Sequence, residues 1–339
     1  MKKRAVRAVT NLLGELGKVK VVDRRVKMGA DLPEKTFSLV DFTYGKKKRT
    51  ILIWVRPSGE PRLINEFAGI LKTMDKDWYP VFVAPFISER GRELCRKLDM
   101  GCLDMAGNAL LRFDGVWVDR WGAKNEQRER RMQKRLFTEK STFVMRKMLI
   151  DPERTWTFRE LAAESRVSTG EAFKVVDRLA REGFVKKDRG AIALSDPRGL
   201  LNAWRDIYRF SDNRMTGYFS LLKERDARLA RLVDVDPDVY AITLGAAAII
   251  VAPAVRSTDM FIYVPGDPTS IISALDLQDV EFGGNTYLVE PPNEGVLFDT
   301  QRVDGKTLVS NIQLYLDLYN HAGRGREQAE AVRERLLEV

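Results

Sequence analysis

The segment from Glu139 to Ser195 constrains the fold most, because within it helix-stopping and helix-starting residues follow one another at short, specific intervals. Phe143, Val144, Met148 and Leu149 form a helical apolar stripe that stops at Asp151-Pro152, where proline cannot continue a helix. Thr157, with Glu160 three residues on, is a capping box that opens a helix from Phe158 to Ser165. Arg166-Val167 makes the turn. Ser168 then caps a second helix, whose Phe173, Val176, Leu179 and Ala180 are expected on one inward face. Gly183 ends that helix in a left-handed conformation. Phe184-Val185 and Ala191 to Leu194 then form a hairpin around Lys186-Lys187-Asp188-Arg189-Gly190. This order of elements predicts a winged helix-turn-helix over residues 139–198, with the hairpin tip as the wing.

A second helix in this setting lies in the major groove of DNA, with its N-terminal residues nearest the base edges. The positions expected to face outward are Ser168, Thr169, Glu171, Lys174, Asp177 and Arg178. Lys174 and Arg178 suit phosphate or guanine, and Ser168 and Thr169 suit phosphate or base. Lys186, Lys187 and Arg189 suit the adjacent backbone or minor groove. Glu171 and Asp177 count against DNA, since acids on a reading face repel phosphate. Ahead of the winged helix, residues 121–138 (WGAKNEQRERRMQKRLFT) form a basic linker, a solvated stretch or an arm in which Arg131, Lys134 and Arg135 would touch phosphates. Charge distribution agrees: residues 120–190 hold 19 Lys/Arg against 11 Asp/Glu, whereas residues 191–339 hold 15 against 22. A nucleic-acid surface is therefore expected in the first half or the middle, and a protein-facing or solvent-facing surface in the acidic last third.

A chain of 339 residues is expected to form two or three domains, and 44% hydrophobic with 31% charged residues describes ordinary folded protein. The longest apolar run, Ala241 to Val255, is broken by Pro253, too short to span a membrane and expected to be a buried strand or helix. Asn11, Gly14 and Glu15 interrupt the stretch a signal peptide would need, so a cytoplasmic protein is expected. Cys95 and Cys102 match neither a disulfide framework nor a zinc site, and read as reduced apolar fillers. A histidine-based triad would have to be built on His321, which is expected as a loop residue. No P-loop, dinucleotide fingerprint or metal-ligand cluster is present, and no cofactor is expected.

Residues 1–120 alternate strand and helix patterns. Strands are expected at Lys18 to Val26, Phe37 to Tyr44, Thr50 to Val55, Tyr79 to Ala84, Gly101 to Asp104, Ala109 to Phe113 and Val116 to Arg120. Helices are expected at Leu63 to Met74 and Ser88 to Leu98. Asp41 on one strand, a charged hairpin from Lys46 to Arg49, and then Ile51-Leu52-Ile53-Trp54-Val55-Arg56 resemble the layout of the restriction-endonuclease-like fold. In active members an acid and a Glu-x-Lys hold a divalent metal. Here Trp54 and Arg56 stand at the Glu and Lys positions, which implies a degenerate site without cleavage. After the winged helix, Leu200 to Val233 is expected to be an amphipathic inter-domain or dimer stretch, and residues 199–339 a C-terminal α/β domain. Its Gly245-Ala246-Ala247 and Asp259-Met260-Phe261 faintly resemble nucleotidyltransferase-like domains, with Phe261 where those carry a second carboxylate.

Over most of its length the chain resembles the AbiEi-type antitoxin and transcriptional regulator families of bacteria. The resemblance rests on PSGEPR (Pro57 to Arg62), YPVFVAPFISERGRELC (Tyr79 to Cys95), LDMAGNA (Leu103 to Ala109), the winged helix, VSNIQLYLDL (Val309 to Leu318) and GRGREQAE (Gly323 to Glu330). It implies a winged helix that binds promoter DNA and a C-terminal domain that helps neutralise a toxin. The expectation is thus a non-enzymatic regulator of double-stranded DNA, an autoregulatory repressor acting as a homodimer. Two alternatives stand beside it. One is a DNA nuclease using Asp41 with Glu15 or Asp31, and the other a protein-interaction module acting through the acidic last third.

Overall fold

The computed structural model describes residues 2–22, 37–74, 77–123, 136–255, 257–291 and 293–337. The fold is mixed α/β, and the chain forms two compact units: Met1–Met132 with Ala180–Gly183, and Gln133–Leu179 with Phe184–Val339.

In the first unit the order is α1 (Lys2–Gly14), β1 (Lys18–Val22), β2 (Phe37–Tyr44), β3 (Lys47–Val55), α2 (Pro61–Lys72), β4 (Tyr79–Ala84), α3 (Glu89–Lys97), β5 (Gly101–Asp104), β6 (Ala109–Phe113) and β7 (Val116–Arg120). The seven strands lie in sequence order, β1 to β3 antiparallel, β3 to β5 parallel and β5 to β7 antiparallel. Parallel neighbours need a crossover, and α2 and α3 supply the two required. Both faces are covered there, which is why Ile51 to Val55 of β3 reads as a continuous apolar run. Ile51 and Ile53 pack with α1 residues Ala5, Val9 and Leu13, while Leu52 and Trp54 pack with Leu63, Ile64 and Phe67 of α2 and Cys95 of α3. Cys95 and Cys102 are buried free thiols of this second layer. Asp114-Gly115, with φ of 47° and 93°, forms the expected tight turn between β6 and β7. The first strand ends at Val22 in the described chain, and residues 23–26 of the expected strand lie outside the described residues.

The second unit opens with α4 (Glu139–Ile150), α5 (Phe158–Glu164), α6 (Thr169–Arg181) and the antiparallel pair β8 (Val185–Asp188) and β9 (Ala191–Leu194). It continues through α7 (Pro197–Ile207), β10 (Arg214–Ser220), α8 (Arg225–Arg231), β11 (Ala241–Thr243), α9 (Leu244–Val251), β12 (Met260–Tyr263), α10 (Thr269–Ala274), β13 (Leu277–Asp279), β14 (Thr286–Glu290), β15 (Gln301–Val303), β16 (Lys306–Leu308), α11 (Asn311–Tyr319) and α12 (Gly325–Leu336). A seven-stranded sheet runs in the order β13-β10-β14-β12-β11-β16-β15. The stretch expected to be amphipathic from Leu200 to Val233 is not one element. Helix α7 ends at Ile207, and Arg214–Ser220 becomes a strand because β13 and β14, which follow it by 57 to 76 residues in the paired register, flank it. The apolar run at Ala241 divides into strand and helix at Leu244, whose φ of 52° turns the chain between β11 and α9. Among the described residues no helix is long and apolar enough to cross a membrane.

One hydrophobic core runs through this unit, from Val144, Met148, Trp156 and Leu179 through Leu200 and Trp204 to Ile242, Ile262, Tyr315 and Leu316. A polar cluster is sealed inside it. The Asp317 carboxylate accepts from Tyr208 (2.6 Å), Gln313 (2.6 Å), Thr243 (2.5 Å) and Tyr263 (3.2 Å). Arg146 of α4 donates to Gln313 Oε1 at 2.6 Å and stacks on Trp204, 4.7 Å from the ring centroid. Burial pushes the Asp317 carboxyl up to about 6 and the Arg146 guanidinium down to about 10.

Candidate nucleic-acid interface

Helix α4 ends at Ile150, with Asp151 its C-cap before Pro152, and Trp156 then pairs with Ile192 through two backbone hydrogen bonds of 2.8 Å. That bridge fastens the β8–β9 hairpin to the helices. Trp156 is 2% exposed, and Arg154 lies over its ring at 3.7 Å. The predicted capping box forms at the start of α5. Thr157 Oγ1 accepts from the Glu160 backbone, and Glu160 accepts from the Thr157 N–H at 2.9 Å, donors that hold the Glu160 carboxyl below its usual range. Three residues then turn the chain, with Arg166 at φ 54°. Ser168 Oγ accepts from the Glu171 N–H at 3.2 Å and so begins α6.

The buried face of α6 is Ala172, Val175, Val176 and Leu179. This corrects the expected inward face: Val176 and Leu179 are buried, but Phe173 is 52% exposed. The i, i+3, i+4, i+7 spacing of the four buried residues was the signal to weigh, and Phe173 is one position off it. Ser168, Thr169 and Lys174 are exposed and Arg178 is half-buried. On the hairpin Lys186, Lys187 and Arg189 are exposed, with Arg189 and Gly190 at φ 45° and 90° forming its tip.

The two acids of α6 have cationic partners. Asp177 Oδ1 lies 3.0 Å from Lys187 Nζ, which ties β8 to the helix, and Glu171 lies 3.8 Å from Lys174 Nζ. Lys187 is therefore engaged within the protein and also sits 5.5 Å from the Phe173 ring centroid. Arg131, Lys134 and Arg135 lie outside the described residues.

The Asp41 constellation is arranged differently from its sequence spacing. Asp41 is opposite Thr50 in the sheet, while Trp54 is opposite Phe37, four rungs or roughly 13 Å along the strand. Asp41 accepts from Thr50 Oγ1 at 2.9 Å and pairs with Lys48 at 3.2 Å. Trp54 is buried against Phe37, Phe67 and Phe82, with Arg56 over its ring. Glu15 pairs with Arg120 at 2.7 Å, and Asp31 lies outside the described residues. Among the described residues no three His, Cys, Asp or Glu side chains are grouped to hold a metal ion.

At Gly245, the second residue of α9, a Cβ would stand 2.4 Å from Ser257 Cβ, so Ser257 fills the space beside the backbone there. Arg225 and Arg228 hold that loop by donating to the Ser257 and Thr258 carbonyls. Phe261 stacks on Tyr287 at 4.7 Å. His321, expected as a surface loop residue, is half-buried edge-on against Phe210 and Phe261, and this burial lowers its pKa.

Compared with protein-family models, curated proteins and solved structures, the chain matches none.

Proposed function

We propose that this protein is a transcription regulator that binds double-stranded DNA through a winged helix-turn-helix, with α6 in the major groove and the β8–β9 wing on the neighbouring backbone. The observation that carries the reading is the pairing of the reading-face acids. With Asp177 held by Lys187 and Glu171 by Lys174, the repulsion they would exert on phosphate is offset. The exposed N-terminal turn of α6 and the cations Lys174, Arg178, Lys186 and Arg189 then face DNA.

The first unit serves in this reading as a restriction-endonuclease-like scaffold without cleavage, a role its β1 to β5 order supports and the engagement of Asp41 by Lys48 and Thr50 favours. Ser257 beside Gly245 weighs against nucleotidyl transfer in the second unit. By resemblance we extend the proposal to a cytoplasmic, homodimeric, antitoxin-like repressor of its own promoter, with a cognate toxin meeting the acidic C-terminal part.

Fluorescence anisotropy with the protein's own upstream DNA and with unrelated DNA, across a salt series, tests it. Wild type binds the upstream DNA more tightly. Lys174→Ala/Arg178→Ala abolishes that preference and lowers the salt slope by about one for each phosphate that the variant no longer neutralises. Equal or absent binding in all four combinations would refute the reading.

A further inference from the structure

The face that α6 offers to DNA is not uniformly polar. Phe173 sits in its second turn, about half exposed, in a stripe with Thr169 before it and Asp177 after it. The ring is held from two sides. Phe158 of α5 packs against it with centroids 5.3 Å apart, and the Lys187 ammonium reaches it from the wing at 5.5 Å. An aromatic side chain fixed in this way keeps its free edge outward at little further loss of conformational freedom. Carboxylates are the groups that would accept from cytosine N4, and both on this helix are engaged by lysines. What remains is an apolar ring beside Lys174, whose ammonium carries three donors and, 67% exposed and 3.8 Å from Glu171, can serve a base as well. In the major groove thymine presents a matching pair, an acceptor O4 and the C5-methyl group, which adenine, guanine and cytosine lack.

We propose that Phe173 is a specificity residue that reads the methyl group of a thymine in the target site. This inference rests on the DNA-binding reading above and adds a base preference to it. The supported ring accounts for an apolar side chain left exposed on a helix whose inward stripe is complete without it.

The test begins by selecting duplexes from a random pool with the full-length protein. Each thymine of the enriched site is then replaced in turn by deoxyuridine, which removes only the methyl group. At one position the replacement weakens wild-type binding about 3- to 10-fold, the size expected for one buried methyl. Phe173→Ala binds thymine and uracil duplexes equally at that position, and Phe173→Leu keeps part of the preference. Circular dichroism and denaturant unfolding establish that each variant is folded. Wild-type affinity unchanged by uracil at every position overturns the inference while leaving DNA binding intact. So does a uracil effect that survives in Phe173→Ala. Failure of wild type to enrich or bind any duplex overturns the DNA-binding reading, and this inference with it.

Discussion

The second unit holds two clusters of ionised side chains that use similar groups in opposite surroundings. On α6 and the β8–β9 hairpin, Asp177–Lys187 and Glu171–Lys174 meet in contact with solvent, where water and salt screen them and each lysine can exchange its carboxylate for another anion. Around Asp317, a carboxylate with four donors and a guanidinium linked through Gln313 lie inside a continuous core. A charge in that position must be compensated by neighbours fixed in advance, because water cannot reach it. The contrast assigns the clusters different work: the exposed one tunes what the surface attracts, and the buried one fastens α4 to the sheet that follows.

The largest expected effect comes from breaking the buried cluster. Arg146→Met should destabilise the protein by about 3 to 5 kcal/mol in denaturant unfolding, since it leaves Gln313 and Asp317 without their cation. A loss below about 1 kcal/mol would mean that Asp317 is compensated by its neutral donors alone. Next in size is a pH effect. The Asp317 carboxyl titrates near 6 in the folded chain, above its ordinary 3.8, so its contribution to stability is complete below pH 4 and lost as pH rises through 6. Between pH 4 and 7 wild type should lose up to about 3 kcal/mol relative to Asp317→Asn, measured by unfolding both proteins across that range. Parallel curves would place the titration elsewhere. The smallest effect belongs to the exposed pair. Asp177→Asn should change stability by less than about 1 kcal/mol yet steepen the salt dependence of DNA binding by about one unit, because Lys187 is released to phosphate. A large stability loss with unchanged binding would make the pair a structural strut and erase the contrast.

Much of the first unit was legible, since β2 and β4 to β7 are short apolar runs bounded by turn residues and their limits follow those runs. The capping residues Thr157 and Ser168 were legible for the same reason: a cap acts within three residues of itself. The strand at Arg214–Ser220 was not, because its pairing with Leu277–Asp279 and Thr286–Glu290 carries no local signature. The register at Asp41 was not legible either, in a related way. The resemblance set Asp41 on one strand and Trp54 and Arg56 on the next, and the register between those strands, which no local pattern states, put Asp41 against Thr50. On the candidate interface the cations of α6 and the hairpin could be named in advance, whereas the outward turn of Phe173 and the engagement of Lys187 could not.

By itself the sequence determined where α5 and α6 start, at the caps Thr157 and Ser168, that Asp114-Gly115 makes a tight hairpin turn, and that positive charge gathers in the middle of the chain. These depend on groups a few residues apart, whose interactions survive without any distant partner. The tertiary structure alone decided that Asp177 and Glu171 are paired, that Phe173 stays outside the core, and that Arg146 and Asp317 lie inside it. Those outcomes turn on which distant segment arrives alongside and how much water it displaces, and local spacing encodes neither.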